Sequence, residues 1–402
     1  MRIRYSSFCA LVLWLAPSLA FAWAGHDHSL LVARGFSRVA PSPGPDATVP
    51  VTAYDRFLSR IAPAIGIAPT PAAFAEWLGV NPGIDLGAFS PAEQVGGTVA
   101  LLDLLRSHVN DPDDGRDEGV ADKPAARFFG GRESQAFRHM EKPPLRWTDP
   151  AHTLGIPLGE AGEASLRAQI YFDLARLTWQ LGEPYWAWRW LACSLHYIQD
   201  LTQPYHATQD NSYGRYFFST IRVYLQNLGQ PGGKGPIKTI TQLISNSHHF
   251  YEDLVAYYNQ LALMGRPHDA RAIRLLTAMD GWSEPPPAPM IHGTDIRAFA
   301  KTLRDASNRR GADLLQAIHT MSGERLLSLY DYPQPGDTPT AFLKSTRDLD
   351  YLEAERVFFA LTEASLRLGA HGTRELVLHF LTDRDAAPAE ALAPSLRKML
   401  AE

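Results

Sequence analysis

The segment His196–His206, H-Y-I-Q-D-L-T-Q-P-Y-H, dictates a local structure before any other part of the chain does. Residues four apart on an α-helix project from one face, so a helix here sets His196 and Asp200 side by side. Pro204 has no amide hydrogen to donate and clashes with the turn before it. The helix must therefore stop ahead of Pro204, and the chain turns and brings His206 back toward the pair. The same four-residue logic recurs at His248 and Glu252 in H-H-F-Y-E. Neutral imidazole and ionised carboxylate are the ligand types zinc accepts where cysteine is scarce. A single His/carboxylate pair is usually a solvated contact on a helix face. Two such pairs and a histidine just after a proline point to metal.

The amino terminus adds a second constraint. Met1–Ala22 carries Arg2 and Arg4, an apolar run from Phe8 to Leu19, and small residues at Ala20 and Ala22. This pattern reads as a secretory signal peptide, too short for a membrane span, with cleavage after Ala22 leaving Trp23 first. The new α-amine, with an ordinary pKa of about 7.7 to 8.0, is partly neutral near pH 7 and able to donate to a metal. His26 and His28 follow closely. The expected location is outside the cytoplasm, either periplasmic or secreted.

Periodicity elsewhere is helical. Ala92–Val109, Ser165–Leu181 and Ile237–Tyr258 place apolar residues at three- and four-residue intervals, and no sustained strand alternation occurs, so the expected class is all-α. A loop is expected at Gly232–Pro236. A stronger break falls at Pro285, Pro286, Pro287 and Pro289, and helices resume from about Gly293 with an interruption around Pro333–Thr338. The expected organisation is a signal at 1–22, a catalytic helical domain at 23–284, and a C-terminal helical extension or subdomain at 285–402. His292, His319, His371 and His379 lack ligand spacing. Phe358, Phe359 and Leu361 read as core rather than lipid-facing.

These motifs resemble the bacterial zinc-dependent phospholipase C family, which shares its fold with the single-strand-specific zinc nucleases. In that family an N-terminal Trp gives its amine and carbonyl to zinc, and a His-Tyr-x-x-Asp-x-x-x-Pro-x-His segment gives three more ligands. Here Trp23 and His196–His206 match, as does an aromatic helix with Trp179, Tyr185, Trp186 and Trp190 ahead of His196. His248 and Glu252 fall where the family places its His-x-x-x-Glu pair. The early Asp and His of the family match Asp113, in D-P-D-D-G-R-D, and His139, in S-Q-A-F-R-H-M. Asp114 or Asp117 could stand in for Asp113, and His26 for His28. Three departures bear on the substrate pocket: Gln199 replaces a small residue, Asn211 lies farther past His206 than the family's Asn, and the Asp113–His139 interval is long.

The resemblance implies a multi-helix phospholipase C/nuclease-like fold and three zinc ions. Trp23, His28 and Asp200 would hold one; Asp113, His139, His196 and a bridging Asp200 the second; His206, His248 and Glu252 the third. It implies an exported phospholipase C that cleaves glycerophospholipid, phosphatidylcholine above all, to diacylglycerol and a phosphorylated head group. Asp113 would be general base as well as ligand. The partner is then a phospholipid surface, with no transmembrane segment once the signal is removed.

A zinc nuclease or phosphatase on the same frame is the alternative reading, and a non-enzymatic zinc-stabilised lipid-binding protein a third. The net charge of −5 argues against broad nucleic-acid binding through a basic surface. Of the two cysteines, Cys9 leaves with the signal, so Cys193 has no intramolecular partner. The eukaryotic nucleases of this fold are typically disulfide-bonded, which favours the phospholipase side. Cys193 itself reads as a buried structural thiol.

Overall fold

Two helices buried on almost every side form the centre of the molecule, and their polar residues are buried with them. They are α6 (Ala164–Gln180) and α7 (Pro184–Asp200), joined by a short turn through Gly182, whose φ of 77° suits glycine. The computed structural model describes residues 25–37, 44–120, 135–143, 161–208, 221–226, 236–264, 269–280, 291, 293–328, 331–386 and 388–401. The signal segment, Trp23, Asn211, the Gly232–Gly235 stretch, the 285–289 proline cluster and His292 lie outside the described residues.

Around the central pair stand α1 (Gly25–Phe36), α2 (Tyr54–Ile65), α3 (Pro71–Leu78), α4 (Leu101–His108) and the short α5 (Gln135–His139). Beyond α7 follow α8 (Pro204–Ala207), α9 (Pro236–Leu263), α10 (Ala270–Ala278), α11 (Ile296–Ser322), α12 (Leu349–Asp383) and α13 (Ala389–Ala401). Asp269, Asp295 and Asp348 accept backbone amide hydrogens at the starts of α10, α11 and α12, which fixes where those helices begin. Extended structure among the described residues is limited to two antiparallel ribbons. β1 (Thr48–Pro50) pairs β2 (Thr98–Ala100), and β3 (Glu141–Lys142) pairs β4 (Ala161–Gly162). The fold is all-α. Among the described residues no helix is long and apolar enough to cross a membrane.

The expected helices over 165–181 and 237–258 are present within α6 and α9. The one expected over 92–109 is shorter. Gly96 takes φ 87° and Gly97 follows, so the chain turns, runs through β2, and becomes helical only at Leu101. Gly96 and Gly97 lower helix stability, and the β1 partner satisfies the backbone that the helix would have used.

One core joins the first and last parts of the chain. Phe57, Trp186, Trp190, Phe299, Leu303, Leu376, Phe380 and Leu396 are all buried within it. A second core packs α9 against α11 and α12 through Phe250, Tyr251, Leu314, Ile318, Phe358 and Phe359. Gly35, Gly369 and Gly372 allow α1, α12 and α7 to approach closely: a Cβ on Gly372 would lie 2.8 Å from an Ile198 methyl. Cys193 is buried and free.

Candidate metal centre

The ligand residues come from several elements that converge at one end of α7. That helix ends at Asp200, with His196 one turn earlier on the same face. Gln203 then stops the chain by capping α8: its side-chain oxygen accepts from Tyr205 N at 2.6 Å and His206 N at 3.3 Å, with Pro204 at the first helical position. This is the turn that Pro204 predicts, and it carries His206 back to the end of α7. Asp113 sits in a tight π-helical turn, Pro112–Arg116, that bends at Gly115. His28 comes from α1, His139 from the last residue of α5, and His248 and Glu252 from one face of α9.

Three groups of ligand atoms result: His28, His196 and Asp200; Asp113, His139 and His196; His206, His248 and Glu252. Asp200 faces two of them at once. Its Oδ1 lies 3.5 Å from His28 Nε2, while its Oδ2 lies 3.1 Å from His139 Nδ1 and 3.2 Å from His196 Nε2. Asp113 Oδ1 is 3.4 Å from His139 Nδ1 and 3.6 Å from His196 Nε2, and its Oδ2 is 3.8 Å from His28 Nε2. In the third group His206 Nε2 and His248 Nε2 are 3.0 Å apart, and Glu252 Oε1 is 2.7 Å from His248 Nε2.

These separations test whether a metal fits. Four ligands at roughly 2.0–2.1 Å from a tetrahedral zinc stand about 3.3 Å from each other. The observed spacings scatter around that edge length. The donor chemistry agrees: five imidazoles and three carboxylates converge, and among the described residues no lysine or arginine intervenes at ion-pair distance from Asp200 or Glu252. Asp200 Oδ1 is fully buried without a hydrogen-bond donor, which a cation would remedy. The residues present fit divalent cations.

Neighbouring side chains fix the ring orientations. His28 Nδ1 donates to Gln199 Oε1 at 2.7 Å, and Gln199 Nε2 donates to Thr373 Oγ1 on α12 at 2.9 Å. His206 Nδ1 donates to the His139 carbonyl at 2.6 Å, leaving Nε2 as the ligand atom. Gln203 Nε2 donates to Glu252 Oε1 at 3.0 Å, and Tyr205 stacks on His248. Burial shifts the ligands in opposite directions. It lowers His196 and His206 to about 3 and holds His28, His139 and His248 well below the usual imidazole range. It raises Asp200 and Glu252 well above the usual carboxylate range.

Eight of the nine ligands expected from sequence are therefore placed in contact with other ligand residues, and the ninth, Trp23, lies outside the described residues. Of the alternatives left open, His26 is only half-buried, whereas His28 is fully buried in the centre. Asp114 is exposed. Asp117 is buried but taken: Arg138, Arg167 and the Tyr197 hydroxyl all donate to it, the last two at 2.8 and 2.5 Å. Its Oδ2 stands 3.7 Å from His139 Nε2, behind the ligand nitrogen. His28 also stacks on His196, ring centres 4.2 Å apart, so His196 serves two groups where the sequence assigns it to one. The orienting role of Gln199 escapes sequence reasoning, because its partners His28 and Thr373 lie far away along the chain.

Comparison with protein-family models, with curated proteins and with solved structures finds no match.

Proposed function

We propose that the chain is a zinc-dependent phosphoester hydrolase of the phospholipase C kind, acting on glycerophospholipid. The observation that carries the reading is the sharing of Asp200: one buried carboxylate turns a separate oxygen to each of two adjacent ligand groups. A structural zinc site is closed and self-contained, whereas neighbouring ions joined by a carboxylate are the arrangement used on phosphoryl groups. The third group stands close enough for Asp113 and Asp200 to bear on Glu252 electrostatically. Access supports the reading as well. The His248 side chain is 15 % exposed, while the other described ligands are buried, so the centre opens at its third group.

Divalent ions held there would lower the pKa of a shared water, polarise the phosphoryl oxygens and offset charge on the departing alkoxide. The protein's own residues supply the rest. Asp113, with both oxygens inside the centre, would accept the proton of the attacking water; Gln199 holds the His28 imidazole in register. An O–P bond forms from water, the bond from phosphorus to the glycerol oxygen breaks, and the proton taken up by Asp113 is returned to that oxygen, directly or through solvent. The mixed histidine and carboxylate ligands favour zinc over calcium or magnesium, which prefer oxygen alone.

The test is hydrolysis of phosphatidylcholine vesicles and of single-stranded oligonucleotide by the chain beginning at Trp23, with and without chelator, and with His196→Ala. Chelator-sensitive release of phosphocholine, lost in His196→Ala, is expected. Nucleotide release without lipid cleavage would move the protein to the nuclease reading. Hydrolysis of neither substrate would remove the enzyme reading altogether.

A further inference from the structure

Among the described residues, Lys142 is a buried cation with no anion beside it. It follows the ligand-bearing α5 on strand β3, which packs against α8, the helix that carries His206. Its side chain is 3 % exposed, yet no described carboxylate lies within ion-pair distance of it. The neighbouring residues show the contrast. Glu141 is engaged by Lys301, by Arg304 and by the backbone of Ser165, and the buried Arg138 and Arg167 are neutralised by Asp117. The positive charge of Lys142 is instead felt by His206 and His248. Those two belong to the third ligand group, the end of the centre that opens to solvent.

An ammonium so little exposed, with no carboxylate beside it, is unfavourable unless an anion arrives to meet it. We propose that Lys142 forms the anion subsite of the centre, its ammonium binding a non-bridging phosphate oxygen of a substrate seated against the His206–His248–Glu252 group. This rests on the phosphoester reading given above and adds a selection rule to it. Substrates carrying a full negative charge on phosphorus are retained, and neutral esters are not. Burial lowers the Lys142 ammonium to about 8, which leaves it cationic at neutral pH. Lysine serves here as a compact point charge, suited to a single oxygen.

The experiment uses the full zinc-loaded chain and inorganic phosphate as the probe, in wild type, Lys142→Met and Lys142→Arg. Zinc content by elemental analysis is expected to be equal in all three. Phosphate affinity, by calorimetry, is expected to fall at least about tenfold in Lys142→Met and to recover in Lys142→Arg. KM for a charged phosphodiester should rise in Lys142→Met in step with the lost phosphate affinity. In the wild type, saturating phosphate should protect Lys142 from amine acetylation, read by peptide mass spectrometry, which covers the case in which Lys142→Met does not fold. Equal phosphate affinity in wild type and Lys142→Met, or acetylation of Lys142 unaffected by phosphate, overturns the proposal. If phosphate binds in a Lys142-dependent way while no phosphoester is hydrolysed, the subsite stands and the hydrolase reading falls. Hydrolysis with unchanged constants in Lys142→Met keeps the hydrolase and removes the subsite.

Discussion

At the residue scale, burial prepares the two ligand types differently for an incoming cation. Burial keeps the imidazoles neutral and raises the Asp200 and Glu252 carboxyls well above the usual carboxylate range. Where those carboxyls are still protonated, metal uptake is expected to eject protons, and these come from the carboxyls rather than from histidine. The sign follows directly. A raised carboxyl competes for its own proton, so metal affinity climbs as pH rises through the range in which that proton is lost. Zinc titration of chelator-stripped protein in buffers of different ionisation enthalpy counts the protons. Glu252→Gln should release fewer than wild type, and an identical count would contradict the assignment. The ligands themselves were legible in the sequence because a four-residue spacing and one proline define a geometry on their own. Lys142 was not, since a lone lysine after Met140 and Glu141 signals nothing until its surroundings are seen.

At the element scale, α7 is tied to α12 through the centre. Gln199 reads from the sequence as a departure from the phospholipase pattern, and its side chain spans from His28 to Thr373. Gln199→Leu removes the acceptor that fixes the His28 tautomer. An affinity loss of roughly 10- to 100-fold for the ion in that group is expected, with helicity unchanged. Competition with a graded series of chelators measures it, and wild-type retention of every ion would refute the orienting role. The long helices were readable because their apolar positions repeat at helical spacing, as in Ser165–Leu181. The β1–β2 ribbon was not. Three-residue strands carry too little alternation to register, and Ala92–Val109 mimics one helix until Gly96 turns it.

At the scale of the whole molecule, the helices after the proline cluster cover the same core as the ligand-bearing ones. Phe380 packs on Trp188 with ring centres 5.0 Å apart, and Ser307 on α11 donates to the Thr202 carbonyl between α7 and α8. A chain ending at Glu284 would uncover Phe172, Trp188 and Ile198 and would lose the Thr373 partner of Gln199. It is expected to lose cooperative thermal unfolding and to retain no stoichiometric zinc, as read by calorimetry and elemental analysis. A sharp transition with full metal content in that fragment would show that the first part of the chain stands alone. The all-α class was evident from periodicity, but the mutual burial of distant helices was not, because apolar spacing reveals which face is covered and never by which partner.

The Gln199–Thr373 link also sets a timetable for synthesis. His28 emerges from the ribosome early, and the residue that steadies its orienting glutamine emerges near the end. At roughly 5–20 residues per second, translation separates the two by tens of seconds. During that interval a nascent chain already displays most of its histidines but lacks the residue that steadies the glutamine beside His28.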